Sequence, residues 1–316
     1  MATAEQVKAL IKSHYSSSEG LFESVAMQIA AFEAKKGKKE YAREIRNIVE
    51  MEKKKKRTYT FDNVDGLIDF SQPNVRLNNL VLDTEIDSKI KEIVNEFWNQ
   101  EKLESFGLKN KRKILLAGPP GTGKTMTASV LANELGLNLG IIQMDKMMTK
   151  YMGETTVKLR HIFDSINSFP AVYLFDEFDA IGSDRNAEND IGEVRRILNT
   201  FLQLIEQNES NIIIIAATNN FTSLDTALFR RFDEVIQYHT LSVEKIEKLI
   251  KINLRNFKLN SASLRMASEV ALGLSQAEIV KAVENTLRYS ILHNNSKISE
   301  DYLMTNLSDI KQIYDL

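Results

Sequence analysis

An eight-residue stretch rich in glycine offers the residue types that bind nucleotide phosphates. It follows the apolar run 114–117, precedes a helix-forming segment, and consists of Gly118, Pro119, Pro120, Gly121, Thr122, Gly123, Lys124 and Thr125. Its glycines let backbone N–H groups turn towards the α- and β-phosphates, its lysine reaches the β- and γ-phosphates, and its last hydroxyl is a Mg²⁺ ligand. We expect this phosphate loop and the next residue, Met126, to bind a nucleotide with Mg²⁺.

A pair of carboxylates follows further along the chain. The β-branched and aromatic run 171–175 ends in Asp176 and Glu177. A buried strand that delivers two carboxylates after a phosphate loop is typical of a Walker B segment, in which the first holds Mg²⁺ and the second activates the attacking water. We therefore assign Asp176, together with Thr125, to the metal and Glu177 to catalysis.

Composition excludes several other kinds of chemistry. The chain of 316 residues contains no cysteine, and its four histidines lie far apart, so disulfides, thiolate catalysis and cysteine or HExxH-type zinc sites are not expected. No apolar run approaches the roughly eighteen residues that span a bilayer, and the N-terminus lacks a signal-peptide pattern. We expect a cytoplasmic protein with no membrane partner and no metal besides Mg²⁺.

The charge pattern disfavours nucleic acid as a partner. The net charge is -2, and the basic run Lys53 to Arg57 is more simply a solvated helix end or linker than a nucleic-acid contact. A nucleic-acid-stimulated ATPase stays a remote alternative.

The first 57 residues predict a module of three short amphipathic helices. Apolar residues recur at helical spacing at 7–11, 22–32 and 42–49. Helices of this length bury little surface, and a small helical unit before a motor is more often a docking element than a catalyst. We expect residues 1–57 to bind a protein substrate or partner, and residues 58–79, with weak periodicity and turn formers, to form a linker.

Residues 80–240 alternate strand and helix patterns, which predicts an α/β fold of the P-loop NTPase type with a five-stranded parallel sheet. The predicted strands lie near 114–117, 139–143, 171–176, 211–217 and 234–237, and the helices near 85–105, 124–135, 154–167, 190–207 and 224–230. Strand patterns stop after residue 240, and Ser275 to Glu278 reads as a capping box that opens a helix. Residues 241–316 therefore predict a small all-helical lid.

These features together resemble the AAA family of ATPases in the narrow sense, the group that contains katanin, spastin and FtsH-type ATPases. The resemblance covers residues 80–290 and rests on the segments 118–125, 174–179, 216–219 and 224–233. It implies ATP as the nucleotide and a role for Asn219, at the end of its strand, in polarising the attacking water or the γ-phosphate. It also implies that Arg230 and Arg231 are arginine fingers for a neighbouring subunit, so that the working form is a homo-oligomeric ring, most simply a hexamer.

Two further segments bear on the resemblance. Lys150, Tyr151 and Met152, followed by Gly153, resemble the pore loop with which such rings grip an unfolded polypeptide, and Asp184 to Gly192 is a candidate second pore loop. Residues 273–279 resemble the sensor 2 region, except that Gln276 stands where a second glycine is usual. The chain carries no protease signature of the FtsH type.

Two main functions follow from these patterns. The first is a ring ATPase that unfolds, translocates or remodels a protein through its pore, as a chaperone does. The second is an ATP-dependent switch that regulates one dedicated partner, such as a separately encoded protease or effector.

Overall fold

The structure is a computed structural model that describes residues 8, 19–36, 38, 40, 42–47, 66–148, 153–178, 190–220, 229–293 and 298–314. The chain divides into two compact units, Met1–Asp62 and Asn63–Leu316.

Most of the described residues of the first unit are helical. Helix α1 spans Glu19–Lys35, and residues 42–47 are also helical. Val25, Ile29 and Ala42 are buried, as expected from the apolar spacing of the second and third predicted helices. Of the first predicted helix, around 7–11, only residue 8 is described, and it is helical.

The second unit is built on a six-stranded sheet. Its strands are β1 Ile68–Ser71, β2 Lys113–Ala117, β3 Asn138–Ile142, β4 Ala171–Phe175, β5 Ile213–Thr218 and β6 Glu234–Gln237. The strand order is β1-β3-β4-β5-β2-β6. The five strands β2 to β6 are parallel, as the alternating pattern predicts, and β4 and β5 are buried along their whole length.

The prediction of five strands was one strand short. Strand β1 pairs antiparallel with β3 at the edge of the sheet, and it lies with a 3-10 helix, Leu77–Asn79, in the stretch assigned to a linker. Four residues are too few to establish a strand period. The strand is secured by contacts distant in sequence, since the Phe70 ring packs edge-on against Phe169 and Tyr173 at centroid distances of 5.3 and 6.0 Å.

Helices cover both faces of the sheet. In chain order they are α2 Thr84–Trp98, α3 Gln100–Ser105, α4 Lys124–Glu134, α5 Met144–Met147, α6 Glu154–Ile166 and α7 Asp190–Gln207. Helices α2 and α4 pack on one face, and Phe163 of α6 and Phe201 of α7 pack against Phe175 on the other. The single helix predicted over 85–105 is interrupted at Asn99, and the helix predicted near 224–230 lies almost entirely outside the described residues.

Four further helices form a separate apolar cluster after β6. They are α8 Val243–Asn253, α9 Ser261–Val270, α10 Gln276–Leu292 and α11 Glu300–Tyr314. Their core includes the fully buried Ile246, Ile250, Ile279 and Val283. No strand occurs in the described residues after Gln237, which agrees with the prediction of an all-helical lid.

Candidate active site

The phosphate loop connects the end of β2 to the start of α4, where the sequence pattern places it. Two of its glycines are required by close approach as well as by backbone conformation. Gly118 has φ +150°, and a Cβ there would lie 2.6 Å from the Tyr238 carbonyl oxygen. Gly121 has φ +72°, and its Cβ would lie 2.6 Å from Ser275 Oγ. No other residue type fits these positions without displacing a neighbour.

The Lys124 side chain is buried under the loop with its ammonium group fully engaged. Its Nζ donates to the carbonyl oxygens of Gly118 at 2.7 Å and Pro119 at 2.9 Å, and to Asn219 Oδ1 at 2.8 Å. The last bond joins the end of β5 to the loop. The lysine and Asn219, which are 95 residues apart, therefore belong to one site.

The metal-binding candidates also meet. Thr125 Oγ1 donates to Asp176 Oδ2 at 2.6 Å, so the two oxygen groups assigned to Mg²⁺ face each other. Hard oxygen ligands suit Mg²⁺, which is usually held by one or two carboxylates together with phosphates and water. In the part of the chain that the structure describes, no cluster of three or more His, Cys, Asp or Glu side chains offers another metal site.

Glu177 occupies a strained backbone position beside this pair. Its φ of +51° lies in the left-handed region, and its N–H donates to Asp176 Oδ1 at 2.9 Å. A non-glycine residue in this region costs about 1–3 kcal/mol and is found preferentially at functional sites. The turn is secured by the next residue, because Phe178 is buried and its N–H donates to the Ala217 carbonyl oxygen at 2.8 Å.

These groups open into one cleft of about 580 Å³ between the phosphate loop and the helices α8 and α10. Its lining includes residues of the loop, the two carboxylates and Asn219. The remaining lining residues are seven from the helices of the lid and two from elsewhere in the second unit: Leu249, Asn253, Gln276, Ala277, Val280, Lys281, Glu284, Asn79 and Met126. The volume suits a nucleotide-sized ligand.

The lid is hydrogen-bonded directly to the phosphate loop. The Ala277 N–H donates to the Gly121 carbonyl oxygen at 3.1 Å, and Gln276 Nε2 donates to the Thr122 carbonyl oxygen at 3.1 Å. The predicted capping box is confirmed, since Ser275 Oγ accepts from the Glu278 N–H and Glu278 Oε2 accepts from the Ser275 N–H. Gln276 thus reaches the loop with its side chain, a contact that sequence reasoning did not foresee.

Sequence reasoning also missed Tyr238, just after β6. Its hydroxyl donates to Thr127 Oγ1 at 2.7 Å inside the core, below the phosphate loop, and its backbone N–H donates to the Ala117 carbonyl oxygen at 2.7 Å. Burial raises the pKa of this phenol well above its usual range, so it remains a neutral hydrogen-bond donor. No local motif marks the residue; only its position opposite Gly118 does.

The two arginines lie away from this cleft. They precede β6 and therefore lie beside the N-terminal ends of the parallel strands. The phosphate loop lies at the C-terminal ends of these strands. Arg230 is exposed, and Arg231 Nη1 lies 2.6 Å from Glu206 Oε2 at the end of α7. Lys150, Tyr151 and Met152 lie outside the described residues.

Comparison with known proteins agrees with this geometry. Residues 114–240 match the family described as "ATPase family associated with various cellular activities (AAA)". The chain is also 30% identical over 309 residues to the uncharacterized AAA family ATPase y4kL of Sinorhizobium fredii, and the match covers 95% of this chain and 93% of that protein. The chain belongs to the AAA family of ATPases.

This AAA ATPase also resembles parts of longer proteins. It is 32% identical to the ATP-dependent zinc metalloprotease FtsH 2 of a Thermoanaerobacter species over 69% of this chain and 44% of that protein. It is 30% identical to the proteasome-activating nucleotidase of Pyrococcus abyssi over 73% of this chain and 61% of that protein. Membership of the family establishes that the protein binds and hydrolyses ATP. None of the helices in the described part of this AAA ATPase is long and apolar enough to cross a membrane.

Proposed function

We propose that this AAA ATPase assembles into a ring, most simply a hexamer, and uses ATP hydrolysis to remodel a protein substrate. Each site is shared between two subunits. One subunit supplies the phosphate loop and the carboxylates, and its neighbour supplies Arg230.

The position of Arg230 carries the proposal of a shared site. The segment that contains it is attached to the start of β2, because the Asp233 N–H donates to the Lys113 carbonyl oxygen at 2.7 Å. Gly118 follows the other end of β2, and five residues of strand span about 16 Å. Arg230 therefore lies at the opposite end of the strands from the cleft of its own subunit. It is available to a second copy of the chain.

Within the shared site each group has a defined task. Thr125 and Asp176 would hold Mg²⁺, which when bound neutralises charge on the phosphates. Lys124 positions the β- and γ-phosphates, Glu177 orients and deprotonates the attacking water, and Asn219 assists at the γ-phosphate. Arg230 stabilises the charge that develops in the transition state, a contribution of about 10³- to 10⁵-fold in rate where arginine fingers have been measured.

Remodelling of a protein is supported by the names of two relatives. One is called an ATP-dependent metalloprotease and the other a proteasome-activating nucleotidase. We propose that this chain likewise acts on proteins, that Lys150, Tyr151 and Met152 grip the polypeptide, and that residues 1–57 recruit it. The aromatic ring and thioether of the last two provide sequence-tolerant apolar contact.

Regulation of one dedicated partner is the second candidate. The separate compact unit Met1–Asp62 favours it, because such a unit can hold a partner without threading it. Under this hypothesis ATP binding alone suffices for activity.

One experiment separates the two candidates and tests the ring. The Glu177→Gln variant, which we expect to bind ATP but hydrolyse it slowly, is held in ATP. Its mass is determined by light scattering. The proteins that it captures are then identified, with and without the additional change Tyr151→Ala. A ring that captures varied polypeptides and loses them with Tyr151→Ala supports remodelling. One partner at fixed ratio, retained without Tyr151, supports the switch, and a monomer in ATP refutes the shared site.

A further inference from the structure

The segment 230–233 is anchored at three of its four residues. Asp233 Oδ2 accepts the backbone N–H groups of Arg112 at 2.8 Å and Lys113 at 2.9 Å. Phe232 is buried at 7% exposure, and Arg231 forms its ion pair with Glu206. Of the two arginines in the segment, Arg230 is exposed and Arg231 is half-buried. The structure thus distinguishes two adjacent arginines that the sequence could not tell apart.

The ion pair joins this segment to a long helix. Helix α7 has 18 residues and therefore a length of about 27 Å. Glu206 lies in its last turn, and Arg231 Nη1 reaches Glu206 Oε2 at 2.6 Å. Opposite charges at this distance attract, so the ion pair favours one arrangement of the segment relative to the end of the helix.

The same helix packs against the carboxylate turn of its own subunit. The ring of Phe201 on α7 lies 4.9 Å from that of Phe175 and 4.5 Å from that of Phe178, measured between centroids. Those two phenylalanines flank Asp176 and Glu177 in the chain. Phe201 and Glu206 are between one and two helical turns apart. Helix α7 therefore contacts both the carboxylate turn of its own site and the arginine segment that is offered to the next site.

We propose that Glu206 is a positioning residue, which clamps Arg231 so that Arg230 alone is presented to the neighbouring subunit. Arg231 then acts within its own subunit. The clamp gives the arginine segment a fixed relation to α7, so a displacement of the carboxylate turn shifts Arg230 in the adjacent site. The proposal rests on the shared site described above and names which side chains control it.

Glu206→Gln removes the charge and keeps the shape of the side chain. The pair is partly exposed, with 33% of the Arg231 side chain and 53% of the Glu206 side chain accessible. Loss of such a pair changes the occupancy of one orientation by at most about fivefold, which corresponds to about 1 kcal/mol. We therefore expect hydrolysis at the neighbouring site to fall by up to about fivefold, with ATP affinity unchanged.

Mixed rings localise this effect. Wild-type subunits are mixed with an excess of a hydrolysis-deficient tester, Glu177→Gln, that carries either no second change, Glu206→Gln or Arg230→Ala. ATP is then added, and the rate per wild-type subunit is measured. The matched control is Glu209→Gln in the same tester, because Glu209 also loses one charge but pairs with Lys109 at 3.9 Å rather than with an arginine.

We expect equal rates with the tester that carries no second change and with the Glu209→Gln tester. The rate should be lower by up to about fivefold with the Glu206→Gln tester and lowest with the Arg230→Ala tester. If Arg230→Ala lowers the rate and Glu206→Gln does not, the clamp is wrong while the shared site stands. If neither lowers it, Arg230 does not act in the neighbouring subunit, and the shared site is itself refuted.

Discussion

A buried relay of two hydroxyl groups below the phosphate loop offers a quantitative test of how the loop is held. The Tyr238 hydroxyl donates to Thr127 Oγ1 at 2.7 Å, and the Thr127 hydroxyl donates to the Gly123 carbonyl oxygen at 3.0 Å. Both side chains are buried, at 2% and 0% exposure. The two substitutions Tyr238→Phe and Thr127→Val interrupt the relay at different points.

The two changes should differ in cost. Tyr238→Phe removes one donor, while Thr127 keeps its bond to Gly123, so we expect a loss of about 1 kcal/mol in the free energy of unfolding. Thr127→Val removes both side-chain bonds and leaves the buried Tyr238 hydroxyl without its acceptor, so we expect about 2–3 kcal/mol. The Gly123 carbonyl still accepts the Thr127 N–H at 2.8 Å. The double variant leaves no hydroxyl stranded and should cost about 1 kcal/mol less than the sum.

Urea unfolding followed by circular dichroism measures all three variants. Comparison is valid where the dependence on urea concentration keeps the same slope. Tyr302→Phe, at a partly exposed position on α11, is the control for loss of a phenol hydroxyl outside the core. If Thr127→Val costs no more than Tyr238→Phe, or if the double variant equals the sum, the relay does not couple these residues and the reasoning fails.

Three further predictions concern the site and the core. Gly121→Ala should weaken ATP binding at least tenfold, because the added Cβ would meet Ser275 Oγ. Gly107→Ala, at φ +74° with open space around it, is the control for backbone strain and should leave ATP binding intact. Equal ATP affinities of the two variants would refute the clash. Glu177→Asn should keep its ATP affinity and lose at least about 100-fold in kcat, because the carboxylate that activates water is removed. It should not destabilise the fold, because asparagine tolerates the φ of +51° better than glutamate does, and a marked drop in Tm would contradict this. Burial raises the pKa of Tyr173 above the unfolded value of about 10, so its contribution to stability is present below pH 10 and is lost as the pH rises above 10. Tyr173→Phe should therefore flatten the fall in unfolding free energy between pH 10 and 11 by up to about 1.4 kcal/mol per pH unit. Parallel plots of unfolding free energy against pH for the two proteins would refute this prediction.

The sequence alone determined the features that depend on neighbouring residues. The phosphate loop, the carboxylate pair and the capping box at Ser275 are each encoded within a few consecutive positions, because each is a backbone conformation with its own side-chain requirements. The five parallel strands were predicted for a similar reason, since a strand buried on both faces forms a continuous apolar run.

The tertiary structure decided which distant groups meet. Tyr238 and Thr127 are 111 residues apart, and Gln276 and Thr122 are 154 apart, so no window of sequence contains both partners of either bond. Strand β1 forms because its edge position pairs it with β3, and Arg231 rather than Arg230 pairs with Glu206 because the end of α7 lies beside it. Side-chain chemistry is specified locally, whereas the pairing of side chains depends on packing of the whole unit.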